Sequence, residues 1–103
     1  MDLVTETYKL VGLLPASELY ALSSQMRRSA VSIPSNIAEG QKRQSTKEFS
    51  QFLSVAQGSN SELQTQLFIC NRLGFLTEEQ TKKSIDLTIE VDKMLSKLIQ
   101  TLN

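Results

Sequence analysis

Apolar residues recur at steps of three and four along almost the whole chain, and nowhere alternate in the two-residue rhythm of a strand. That period dictates helices, and turn residues divide it into four segments. In the first, about 2–14, Val4, Tyr8 and Val11 share a face with Leu3, Leu10 and Leu14 beside them; Gly12 and Pro15 end it. Asp2 and Glu6 lie near its positive end, where the macrodipole favours them. The second, about 16–42, carries one stripe of Leu19, Leu22, Met26, Ala30, Ile33 and Ile37. Pro34 interrupts it at a cost of about 3 kcal/mol, yet the stripe keeps phase to Ile37. The expectation is a continuous helix kinked at Pro34, with Ser29 or Ser32 covering freed backbone. The alternative is a break into two helices.

Ser45-Thr46-Lys47-Glu48 has capping-box spacing and opens a third helix. Its face reads Phe49, Phe52, Leu53, Ala56, Leu63, Leu67, Cys70 and Leu73, and Arg72-Leu73-Gly74-Phe75 closes it with a glycine for the left-handed position. Thr77-Glu78-Glu79-Gln80 is a second capping box, and a fourth helix follows to about Thr101. Short links between long helices force antiparallel neighbours. The predicted fold is therefore all-α, an antiparallel up-down-up-down four-helix bundle in one domain over residues 1–103.

On the fourth helix, Leu87, Val91, Met94, Leu95, Leu98, Ile99 and Leu102 cover roughly 140° of the circumference at about 100° per residue. Ile85 and Ile89 widen the arc to roughly 220°, against the roughly 100° that one bundle uses. The excess calls for another apolar partner, and a copy of the same chain supplies it.

Charge is balanced, with 11 basic and 11 acidic residues, so any attraction to nucleic acid has to come from local clustering. There is no histidine, which removes Ser-His-Asp and Cys-His pairs and imidazole metal sites. The one cysteine, Cys70, forms no intrachain disulfide and suits a reducing compartment. No stretch approaches the roughly 20 apolar residues of a membrane span, and the start lacks a signal-peptide pattern. A cytoplasmic protein is expected.

The run Gln25-Met26-Arg27-Arg28-Ser29-Ala30-Val31-Ser32-Ile33-Pro34-Ser35-Asn36-Ile37-Ala38-Glu39-Gly40 closely resembles the signature of a four-helix-bundle family named for proteins encoded in intervening sequences of 23S ribosomal RNA. Lys47-Glu48-Phe49, Phe52-Leu53, Ala56, Gly58-Ser59 and Glu62-Leu63-Gln64-Thr65-Gln66 resemble its third helix, and Leu73-Gly74-Phe75 the turn after it. The resemblance implies a four-helix bundle and ring-like pentamers. One relative, the accessory variability determinant of diversity-generating retroelements, partners a reverse transcriptase and binds nucleic acid, but is more basic than this chain. Members often carry further residues ahead of the position of Met1, a tryptophan among them, so helix one is expected to be short here.

Two constellations are candidate sites. Between Gln25 and Lys47 lie Arg27, Arg28, Lys42, Arg43 and Lys47 against the single acid Glu39. Such clustering suits phosphates, since released counterions supply most non-specific affinity. No aromatic interleaves with it for base stacking, and capping charge explains the same residues. The second is polar: Asn36 and Glu39 on helix two, Ser59 and Glu62 on helix three. Glu39 and Glu62 facing each other could work as acid and base or hold a metal. With Arg27 and Arg28 in reach, the reading preferred is a buried Arg–Glu network that fixes helix register. Gly58-Ser59 and Gly40 point to close backbone approach against the Pro34 kink. Cys70 reads as a core residue, and Tyr8 and Tyr20 as core-edge residues with hydroxyls toward water.

The expected function is a non-enzymatic homo-oligomeric scaffold, pentameric by the resemblance, that binds RNA or a nucleoprotein through its basic surface. The alternative is a protein-binding or purely structural module. No catalytic residue, metal, cofactor, membrane or small-molecule substrate is expected.

Overall fold

The computed structural model describes residues 2–103, and for Leu19 and Tyr20 the backbone alone. The expected places of Leu19 in the apolar stripe and Tyr20 at the core edge thus lie outside the described residues. Four helices and no strand are present among the described residues: α1 (Asp2–Val11), α2 (Ser24–Gln41), α3 (Thr46–Arg72) and α4 (Glu78–Leu102). None is long and apolar enough to cross a membrane.

At about 1.5 Å per residue, α3 is about 40 Å long, close to the molecule's 43 Å long axis. It is the spine against which α2 and α4 pack most extensively. Pairings across these interfaces follow one pattern. Ser29 meets Glu62 and Ser32 meets Ser59; Asn60 and Gln64 meet Thr88, and Gln57 meets Asp92 and Ser96. The core runs through Met26, Ala30 and Ile33 of α2, Leu53, Ala56, Leu63, Leu67 and Cys70 of α3, and Leu95 of α4.

The caps form largely as their spacing predicts. Ser45 Oγ accepts from Glu48 N–H at 3.1 Å. The Glu48 carboxylate accepts from the Ser45 hydroxyl at 3.2 Å rather than reaching its backbone N–H. At Thr77 both halves of the capping box are present. Gly74 takes φ +78°, and Phe75 N–H donates to Cys70 O at 2.9 Å, so a left-handed glycine turns the chain out of α3.

The α-helix of α1 ends at Val11 rather than Leu14, with Gly12–Leu14 forming a turn ahead of Pro15. The segment from Ala16 opens not as an α-helix but as a three-residue 3-10 turn (Ala16–Glu18) and a π turn (Leu19–Ser23). A π turn takes in an extra residue and buries Leu22, and α2 proper starts at Ser24 with Met26, Ala30 and Ile33 buried. α2 passes through Pro34 unbroken. The Ser29 and Ser32 hydroxyls bond across to α3, to Glu62 and Ser59. They lie on the α3-facing side, where an acceptor is on offer.

Two buried faces differ from expectation for one reason. In α1 the face centres on Leu3, Thr7 and Leu10, leaving Tyr8 exposed at its rim. In α4 it comprises Thr81, Ser84, Thr88 and Leu95. The Thr7 and Thr88 hydroxyls bond within their own helices, to Leu3 O at 2.7 Å and Ile85 O at 2.6 Å, and Thr81 donates to Asn71 Oδ1 of α3 at 3.1 Å and to Glu78 O at 3.3 Å. A hydroxyl satisfied this way hides its polarity and turns its methyl to the core. Leu73, expected on the core face of α3, is exposed instead, one turn beyond the last buried residue of that helix.

Candidate functional site

The five basic residues do not form one cluster. Arg27 and Arg28 lie in the first turns of α2; Lys42 caps its end, Arg43 follows, and Lys47 opens α3. From Arg28 to Lys42 is about 21 Å along the helix axis. Lys42, Arg43 and Lys47 are thus one group on the α2–α3 turn, and Arg27 and Arg28 another. Arg43 donates to Glu39 Oε1 at 2.8 Å, and its guanidinium carbon lies 4.8 Å from the centre of the Phe52 ring. An aromatic does accompany the basic turn, but from α3, where a scan of the basic run itself passes over it.

The polar constellation splits too. Asn36 donates to Ser32 O at 2.8 Å and to Ser32 Oγ at 2.9 Å, and Ser32 Oγ is 2.8 Å from Ser59 Oγ. Asn36, Ser32 and Ser59 form a chain that joins α2 to α3. Glu62 receives one long bond, 3.4 Å, from Ser29. Glu39 is exposed and turned to Arg43. The four ion pairs among the described residues join neither Arg27 nor Arg28 to Glu39 or Glu62. The expected buried Arg–Glu network is therefore replaced by a hydroxyl–amide chain. Short serine and asparagine side chains reach across two close helices without holding a charge out of water. Ser29 and Ser32, expected to cover backbone freed at Pro34, supply the links to α3 instead.

A second polar layer, between α3 and α4, was not anticipated at all. Asn60 donates to Thr88 O at 2.8 Å, and Gln64 to Thr88 Oγ at 3.1 Å. Asn60 Oδ1, Ser84 Oγ and Gln66 Oε1 are buried without a hydrogen-bond partner among the described residues. Gly40 is buried, and a Cβ there would stand 2.8 Å from Phe49 Cδ1 and 2.8 Å from Phe52 Cβ. Gly58 is exposed with open space around it, so the expected approach at Gly58 is absent. What packs beside Gly40 is the start of α3, through Phe49 and Phe52.

Cys70 is buried 3.7 Å from Met26 Sδ, and burial, with a smaller contribution from Glu18, pushes its thiol up to about 11. It is held as the unreactive thiol, as a core role requires. The bond from Lys83 holds the Glu6 carboxyl below its ordinary value, with smaller help from Lys9. Among the described residues no cluster of three or more Cys, Asp or Glu side chains is placed to hold a metal.

The sequence model of a family described as 23S rRNA-intervening sequence protein matches residues 1–97. A solved structure, described as a protein of unknown function from the S23 ribosomal protein family of Bacteroides thetaiotaomicron, superposes with a TM-score of 0.81 at 28% identity. The alignment covers 93% of this chain and 87% of that one. No curated protein matches.

Proposed function

Because the chain belongs to the 23S rRNA-intervening sequence protein family, we propose that it is a non-enzymatic, single-domain helical-bundle scaffold that assembles with copies of itself, as the pentamers implied by the resemblance. The observation that carries this reading lies on α4. That helix turns a hydroxyl stripe and Leu95 inward and leaves Ile89, Met94 and Leu98 exposed at 41%, 49% and 36%. Met94 and Leu98, one turn apart, form an exposed apolar pair, with Ile89 on the opposite side of the helix, and exposed apolar side chains of this kind mark contact sites. An up-down-up-down course is supported by the α2–α3 and α3–α4 pairings, whose residue numbers run in opposite directions. A bend at Pro34 is supported by the amide donor that proline removes from an unbroken helix. A non-catalytic role is supported by the separation of Glu39 from Glu62 and by the buried, raised Cys70 thiol. Light scattering on the purified chain tests the assembly: a multiple of the 11.5 kDa chain mass is expected, and a monomer at micromolar concentration would end it.

One observation favours RNA as the macromolecule bound. Arg43 over Phe52, beside Lys42 and Lys47, combines cations with a planar surface of the kind that takes phosphate and unstacked bases. A labelled single-stranded RNA should be retained at low salt and released steeply as salt rises. Alanine at Lys42, Arg43 and Lys47 should abolish retention, whereas alanine at Arg27 and Arg28 should weaken it less. Unchanged retention in the triple variant would remove RNA and leave a module that binds protein alone.

A further inference from the structure

Between α2 and α3 lies a polar cleft of about 360 Å³, walled by Arg28, Ser29 and Ser32 of α2 and by Ser59, Glu62 and Gln66 of α3. At about 100° per residue, Phe52, Ser59, Glu62 and Gln66 fall within about 80° of one another on α3. Gln57, Asn60 and Gln64, which meet α4, lie on the opposite side of that helix. The cleft is thus on the side of α3 that α4 leaves uncovered. It shares this side with the basic turn. Phe52, which lies beneath Arg43, is about 15 Å from Glu62 along α3.

Much of the hydrogen-bonding capacity in this wall is unused. Arg28 and Glu62 are its charged residues, and neither joins an ion pair among the described residues. The Glu62 carboxylate takes only the long 3.4 Å bond from Ser29. Gln66 is 8% exposed, and its Oε1 meets no donor among the described residues. The last torsion of a glutamine is soft, so a small turn offers that oxygen to the cleft. An occupant therefore has to bring adjacent donors for Glu62 and Gln66 and an acceptor for the guanidinium, which only donates. A carboxylate disfavours phosphate, so the cleft suits the edge of a base rather than the backbone. Among the four RNA bases, guanine alone has two donors, N1–H and the N2 amino group, on its Watson–Crick edge, with O6 beside them as acceptor. On the reading that RNA binds at the α2–α3 turn, we propose that this cleft takes one unstacked guanine of the same strand. N1–H and the N2 amino group donate to the Glu62 carboxylate and Gln66 Oε1, and Arg28 donates to O6. Neighbouring phosphates lie toward Lys42 and Lys47.

The test titrates the full chain with three labelled strands: oligouridine, the same strand with one central guanosine, and the same strand with one central inosine. Inosine keeps N1–H and O6 but lacks the N2 amino group. The guanosine strand should bind more tightly than oligouridine by on the order of tenfold, and inosine should lose most of that gain. Glu62 is exposed and glutamine has nearly its size, so circular dichroism of Glu62→Gln should show unchanged helix content; Glu62→Ala replaces it where it does not. The variant should bind the three strands equally, and oligouridine no more weakly than the wild type does, because a negative charge has gone. A purely structural Glu62 would instead shift all three strands together. Alanine at Lys42, Arg43 and Lys47 should release all three. If the wild type retains the strands equally, if inosine matches guanosine, or if the preference survives Glu62→Gln, the guanine cleft is wrong and RNA binding stands. A wild type that retains no strand at low salt overturns both.

Discussion

Gly40 and Gly58 separate two uses of glycine in a helix. A Cβ at Gly40 would press on Phe52 Cβ, which is anchored to backbone and cannot swing away. Gly40→Ala should destabilise by about 1–3 kcal/mol in a urea titration, because crowding of this kind outweighs the roughly 1 kcal/mol of helix propensity gained. At Gly58 nothing stands in the way, so Gly58→Ala should stabilise by about 1 kcal/mol in the same assay. Ser84 supplies a third residue-scale test. Its hydroxyl oxygen is buried with no partner among the described residues, so Ser84→Ala should raise stability, by about 1 kcal/mol. A fall of that size would mean the hydroxyl is satisfied in solution. Cys70, with its thiol pushed up to about 11, has a linkage of definite sign. The folded state holds that proton more tightly than the unfolded chain, so its contribution is complete below the ordinary value of 9.0 and is lost as pH rises from there toward 11. A thiol reagent near neutral pH should therefore react at the rate of unfolding.

At the scale of the element, the caps of α3 and α4 and the buried stripes of α2 and α3 follow local pattern, and the buried faces of α1 and α4 do not. Thr77 accepts from Gln80 N–H at 3.1 Å while Gln80 Oε1 accepts from Thr77 N–H at 2.9 Å. Thr77→Ala should cost about 1 kcal/mol, read as a lower urea midpoint at constant slope. Caps were legible because donor and acceptor are three residues apart in the chain. The inward faces of α1 and α4 differ from the sequence pattern because Thr7 and Thr88 count as polar by type but satisfy their hydroxyls on their own helices, and Thr81 satisfies its own on Asn71 of α3 as well. α1 is tied to α4 at its surface by Glu6, which takes Lys83 Nζ at 3.1 Å. The depressed Glu6 carboxyl contributes above its unfolded value near 4.5 and loses that contribution as pH falls through the lower folded value. In an NMR titration Lys83→Ala should return Glu6 toward 4.5.

For the whole molecule, the apolar residues of α4 that miss the core matter most. If Met94 and Leu98 meet another copy, thermal stability should rise with protein concentration, since association stabilises the folded chain by mass action. The Met94→Glu, Leu98→Glu variant should lose that dependence while keeping its helices. Scanning calorimetry across a hundredfold dilution checks both. The two basic groups, about 21 Å apart on α2, belong to this scale as well. They count as one cluster along the chain and as two groups in space.

Sequence by itself determined the number of helices, most of their ends and the family, because periodicity, caps and motif spacing are local properties of the chain. Tertiary structure alone decided which side of α1 and α4 is buried, that Ser32 and Ser59 rather than arginine and glutamate link α2 to α3, and that Gly40 rather than Gly58 is the close contact. Each of those outcomes depends on what a side chain meets from another part of the chain, and a hydroxyl or a glycine carries no mark of its neighbour until the helices are packed.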